Sequence, residues 1–146
     1  MRVAQEKHFI THDGSTLFYR YWPPIAPQTT ELRAVVLLHR GHEHSGRLQH
    51  VVDELALADV AMFAWDARGH GRSPGPRGDS PSFAALVKDV DCFVRHIGNT
   101  HDIAIGNLAV IGQSVGAVLA ATWVHDFAPR IRCLVLTAPA FKVKLY

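Results

Sequence analysis

The sequence predicts an α/β protein with a mostly parallel sheet and helices on both faces. Three observations predict it. Two strand-like segments at the start give way to a strand–helix alternation that runs through the rest of the sequence. Short continuous apolar runs, residues 34–38 (AVVLL) and 60–65 (VAMFAW), suit strands buried on both faces. The Gly-, His- and Ser-bearing segments 39–47, 66–73 and 112–116 all follow such runs, at the carboxyl ends of strands, where open α/β sheets bind ligands.

The elements follow in order. Residues 7–10 and 16–22 read as two strands around a His12-Asp13-Gly14 turn. Pro23, Pro24 and Pro27 then break the chain into a loop. After the strand at 34–38, Leu48, Val51, Val52 and Leu55 recur at helical spacing. After the strand at 60–65, Ser80-Pro81 supplies a helix start, with serine as cap and proline in the first turn. Phe83, Leu86, Val87, Val90, Val94 and Ile97 form one apolar face of that helix, and Gly98 is expected to end it. Residues 108–111 (LAVI) read as a strand, 115–125 as an Ala-rich helix and 133–137 as a strand.

With 146 residues the chain is one domain's worth and can bury about 68–70% of its unfolded surface. Its 48% hydrophobic and 19% charged residues exclude a disordered chain. The net charge is +2 and the basic residues are scattered, so no nucleic-acid partner is expected. No apolar run approaches the ~20 residues that span a bilayer. The N-terminal MRVAQEKHFITHDG lacks an apolar signal core. Cys92 and Cys133 are isolated and read as buried free thiols, which favours the cytoplasm.

The pentapeptide Gly112-Gln113-Ser114-Val115-Gly116 stands where a strand meets a helix. About one chain in twenty of this length carries such a string by chance, so the flanks decide its meaning. A serine on a sharp strand-to-helix turn is presented outward, and glycines on both sides avoid clashes with the neighbouring backbone. The helix N-terminus adds free N–H groups and a positive dipole end for a developing oxyanion. Ser114 is therefore the candidate nucleophile.

The segment 39–47 (HRGHEHSGR) offers a second oxyanion element, with Gly41 small enough for backbone to approach a carbonyl. Its histidines do not make a metal site. A dinuclear H-x-H-x-D-H pattern starting at His42 meets Gly46 and Arg47 where Asp and His are needed, and there is no H-E-x-x-H. No metal or organic cofactor is expected. Glu43 and Arg47, four apart, are expected to pair and brace the loop. Residues 66–73 (DARGHGRS) lack the G-K-[ST] of a phosphate loop and are expected to shape the mouth of the site rather than to take part in catalysis through Asp66 or His70.

The strings HRGHEHSGR, DARGHGRSPGPRG and GQSVG, in this order and spacing, resemble one branch of the α/β-hydrolase superfamily. That branch holds the monoacylglycerol lipase, lysophospholipase and serine aminopeptidase-like hydrolases. The resemblance covers nearly the whole chain. It implies an α/β-hydrolase fold, Ser114 as nucleophile, the Gly41 and Val115 N–H groups as oxyanion hole, and a small acyl ester as substrate. Arg40 and His42 stand where the branch commonly has glycine, and are expected to line, narrow and recharge the acyl pocket. The chain also looks like the leading part of bacterial proteins that fuse such a hydrolase to a methyltransferase.

A serine nucleophile needs a base within ~2.6–3.2 Å and an acid to orient that base. In this fold the order is Ser, then Asp or Glu, then His. After Ser114 the only acidic residue is Asp126 and the only histidine is His125, adjacent and in the wrong order. His125 lies eleven residues on, about 16 Å along the helix. The chain is therefore expected to be the N-terminal half of the domain, truncated after about the sixth strand, with acid, base and cap segments elsewhere. The strand at 133–137 is then an apolar edge that self-association or a missing C-terminal half must cover. Two rivals stand beside a serine hydrolase. One is a binding module that kept the fold without the triad. The other is an acyltransferase, in which an alcohol or amine replaces water.

Overall fold

Strands β1 (Gln5–Ile10) and β2 (Thr16–Trp22) pair antiparallel through the expected turn, where Gly14 at φ +84 closes the hairpin. The computed structural model describes residues 1–26 and 31–142. Pro27, one of the three expected loop prolines, lies outside them. Just ahead of it, the Ile25 and Ala26 N–H groups both donate to the Ala58 carbonyl. Beyond the loop, β3 (Arg33–Leu38), β4 (Val60–Trp65), β5 (Leu108–Gln113) and β6 (Cys133–Thr137) complete a six-stranded sheet of order β1-β2-β4-β3-β5-β6. β3 pairs parallel with both β4 and β5, and β5 with β6, while β2 meets β4 antiparallel. The order reverses around β3, so its carboxyl end is a switch point where a crevice opens.

The two-residue period of the strands sorts the core. Val36, Leu38, Phe63, Trp65 and Val110 face one side, where α2 (Phe83–His101) and α3 (Val115–Phe127) bury Val90, Phe93, Leu119 and Trp123 against them. Val35, Leu37, Met62 and Ala64 face the other side, where a 3-10 turn (Ser45–Leu48) and α1 (Gln49–Leu55) supply Leu48 and Val52. The sheet is thus mostly parallel with helices on both faces, as the sequence predicts.

Three local expectations are corrected. The cap of α2 is Ser82, not Ser80: the Ser82 hydroxyl accepts from the Ala85 N–H at 3.0 Å, while Ser80 Oγ donates to the Ser82 carbonyl. Pro81 therefore stands before the cap rather than in the first turn. Gly98 does not end α2. The helix continues to His101, and Asp102 at φ 53 makes the left-handed exit. The Gly98 carbonyl takes the N–H groups of both Asp102 and Ile103, and a Cβ on Gly98 would stand 3.2 Å from the Ile103 carbonyl. The glycine lets the chain fold back over the last turn. Neither cysteine is fully buried: Cys92 is half-buried and Cys133 exposed, because β6 lies at the edge of the sheet.

One residue passed over in the sequence fastens the N-terminus. Arg2 is 7% exposed. Its guanidinium donates to the carbonyls of Trp22, Pro23 and Val60, each at 2.8 Å, and of Leu57 at 3.2 Å. Among the described residues, no helix is long and apolar enough to cross a membrane.

Candidate active site

Ser114 sits between β5 and α3 with φ 53 and ψ −116, a conformation that L-residues rarely adopt. Backbone bonds hold it there. Its N–H donates to the Thr137 carbonyl at 3.0 Å, and its carbonyl accepts from Ala117 and Val118 at 3.1 and 3.2 Å. The flanking glycines are sterically required. A Cβ on Gly112 would stand 2.5 Å from the Gly116 carbonyl, and one on Gly116 would stand 2.5 Å from the carbonyls of both Leu38 and His39. The close approach at Gly116 lays the start of α3 against the end of β3, so the loop after β3 begins beside the serine. Gly41 lies there too: a Cβ on it would stand 3.7 Å from Val115 Cγ1.

The loops after β3 and β4 are knotted together by buried polar groups. His39, 3% exposed, receives the Ala67 N–H on Nε2 at 3.0 Å. Nε2 is then the acceptor, so Nδ1 carries the proton and donates to the Arg40 carbonyl at 2.6 Å. Burial, the largest influence, pushes the His39 imidazole below its ordinary pKa, so the ring stays neutral. The Asp66 carboxylate is fully buried and accepts from the backbone N–H groups of Ser45 at 2.6 Å and Arg72 at 2.8 Å. Gly71, at φ 49, passes directly over it. The three segments picked out in the sequence therefore meet at one edge of the sheet.

Residues 30–146 match the family Hydrolase_4, described as serine aminopeptidase, S33. The chain belongs to this family of α/β-hydrolases. It is 59% identical over 145 residues to the uncharacterized protein YnbC of Escherichia coli (strain K12), which covers 99% of the chain and 24% of YnbC. It is 31% identical to the monoacylglycerol lipase of Mycolicibacterium smegmatis, over 94% of the chain and 48% of the lipase. Human monoglyceride lipase is 30% identical, over 90% of the chain and 42% of that enzyme. Among solved structures, DcsB bound to a substrate analogue superposes with a TM-score of 0.82 at 17% identity, over 98% of the chain and 47% of DcsB. A thermostable carboxyl esterase from Bacillus coagulans gives 0.71 at 21%, over 93% and 44%. These two show the fold. The chain spans roughly a quarter to a half of the length of these proteins.

In this α/β-hydrolase chain the remaining candidates sort by their partners. Arg40 lines a cavity of about 540 Å³ together with Glu43, Arg47, Gln113 and Thr137. Glu43 does not pair with Arg47 as expected. Its Oε1 lies 3.3 Å from Arg40 Nε, three residues back, because residues 41–42 form a turn, 43–44 are irregular, and the 3-10 turn begins only at Ser45. His42, exposed and at φ 56, leans toward His70 at 6.4 Å between ring centroids and does not line that cavity. His125 and Asp126 hydrogen-bond each other at 2.8 Å at the exposed end of α3. Among the described residues no side chain hydrogen-bonds to Ser114 Oγ, and no group of three or more His, Cys, Asp or Glu is placed to hold a metal.

Sequence reasoning missed the support of the second loop. Arg68 donates to the fully buried Asp89 of α2 through Nε at 3.1 Å and Nη2 at 2.9 Å, and to Asp13 through Nη1 at 2.7 Å. Thr11 Oγ1 also donates to Asp89, at 2.5 Å. These bonds, those to Asp89 first, raise the Arg68 pKa above its usual value, and the Arg68 hydrogen bond holds the Asp13 carboxyl well below its own. The only hint in the sequence was a charged residue at position 89 on the otherwise apolar side of α2.

Proposed function

We propose that this chain carries the nucleophile and oxyanion hole of a serine hydrolase for carboxylic esters, of the monoacylglycerol lipase or lysophospholipase kind. The observation that carries the reading is the backbone of Ser114, held at φ 53 between two glycines that tolerate no side chain. Local strain of about 1–3 kcal/mol is maintained there by the surrounding packing, and strain of this kind suits a residue that must project its hydroxyl. In this reading Ser114 Oγ attacks the ester carbonyl and its proton passes to a base. The Val115 and Gly41 N–H groups, with no acceptor among the described residues, receive the oxyanion. Collapse expels the alcohol, protonated by the same base, and water then releases the acid from the acyl-enzyme.

His39 is not that base, since both its nitrogens are engaged. His125 is not, since it lies at the far end of α3. The reading assigns base and acid to the remainder of a longer protein, as the length of the relatives suggests. The two free thiols fit a reducing cytoplasm. The lipases among the relatives support the substrate class.

The test is intact-mass analysis of the longer protein after a fluorophosphonate probe. One adduct, mapped to Ser114 and absent in Ser114→Ala, is the expected result. No adduct would shift the reading to a non-catalytic binding module, which the lack of a described partner for Ser114 Oγ favours as the second interpretation.

A further inference from the structure

Glu43 holds an interaction that the described residues leave half made. Its side chain is 11% exposed. Oε1 lies 3.3 Å from Arg40 Nε, on a side chain that is 56% exposed. Oε2 is buried and has no hydrogen-bond partner among the described residues. A buried carboxylate oxygen without a donor is costly, more so than the same oxygen in water. The carboxylate torsion is soft, so a small turn presents Oε2 to the cavity that Glu43 lines.

That cavity abuts the nucleophile. Its wall includes Gln113, the residue before Ser114, and Thr137, whose carbonyl takes the Ser114 N–H. Leu37 and Ile111 add apolar floor on the α1 side of the sheet. The cavity thus offers apolar surface, polar groups of Arg40, Arg47, Gln113 and Thr137, and on Glu43 a buried acceptor oxygen without a partner among the described residues. A substrate group entering it would satisfy Glu43 only during turnover. A polypeptide segment would satisfy it in every folded molecule, and the relatives that share this stretch are longer than the chain.

We propose that Glu43 is a positioning residue: its free carboxylate oxygen accepts a hydrogen bond from the segment of the longer protein that carries the base, and fastens that segment against the Ser114 turn. This rests on the reading of Ser114 as nucleophile.

The experiment compares the longer wild-type protein with Glu43→Ala and Glu43→Gln on two esters of one acyl chain, p-nitrophenyl butyrate and glycerol monobutyrate. Glu43→Ala is expected to lower kcat about tenfold or more on both, because a misplaced base loses its alignment. Glu43→Gln, isosteric and still an acceptor, is expected to recover all but about fivefold. Removing a carboxylate beside the base should also lower the pH at which kcat/KM is half maximal. A loss confined to the glycerol ester overturns the proposal, since Glu43 would then hold substrate. Wild-type kcat in Glu43→Ala overturns it, as does a loss of kcat in both variants with an unmoved pH profile, the mark of a merely structural role. A wild-type protein that turns over neither ester overturns the reading of Ser114, and this inference with it. Thermal melts of the variants separate unfolding from each of these outcomes.

Discussion

Gly116 shows how little freedom the site allows a single residue. The atoms a Cβ would strike are the carbonyls of Leu38 and His39, both backbone at the end of a central strand. Neither can swing away as a side chain would. Gly116→Ala is expected to lower the unfolding free energy by about 3 kcal/mol, at the upper end for over-packing, and a urea titration would measure it. His101 gives the second residue-scale prediction. Its ring packs against Tyr21 and Phe63, at 4.4 and 4.8 Å between centroids, and its Nε2 lies 3.1 Å from the Tyr19 hydroxyl. Burial, with Lys7 and His96 adding to it, pushes its pKa from 6.5 down to about 4. The folded state therefore keeps His101 neutral while the unfolded chain takes up a proton below pH 6.5. This contribution to stability is full above pH 6.5 and is lost as the pH falls toward 4. His101→Asn is expected to flatten that acid limb, read as a smaller drop in thermal midpoint between pH 7 and about 4.5.

At the level of elements, α2 was legible in its apolar face and illegible at its ends. Val87, Val90, Val94 and Ile97 are all buried as the spacing implies, whereas Phe83 at the first turn is exposed and Leu86 is only partly buried. Two serines, Ser80 and Ser82, stand before the helix, and as caps they are chemically alike. Extended backbone at Ser82, φ −167, chose among them. Ser82→Ala is therefore expected to cost about 1 kcal/mol, and Ser80→Ala little, in paired denaturation curves. Equal losses would return the cap to Ser80. Glu43 and Arg47 make the complementary point. Their spacing fits a helical pair, but Glu43 lies between the 41–42 turn and the 3-10 turn rather than in a helix, and there Arg40 is nearer.

For the whole molecule, the free side of β6 is expected to govern behaviour in solution. β5 covers one side of the strand, and no strand pairs with the other side among the described residues. Val135 is 42% exposed on it. An open apolar edge recruits other strands. The 146-residue chain is expected to self-associate at micromolar concentration, and Val135→Lys to shift it toward monomer in sedimentation velocity. A monodisperse wild-type chain would remove the edge as the cause.

The sequence by itself determined the six strands and their succession along the chain, the helices on both faces and the place of the serine turn, while their order across the sheet came from the structure. Each depends on local pattern: period-two or continuous apolar runs, helical spacing, and glycines at fixed offsets around Ser114. Tertiary structure alone decided which polar residues brace that turn. Ala67 reaches His39 across 28 positions, and Arg68 reaches Asp89 across 21 and Asp13 across 55. Partners that distant leave no periodic signature along the chain, since they are selected by which loop ends the sheet brings together and by the cost of leaving a buried charge unpaired.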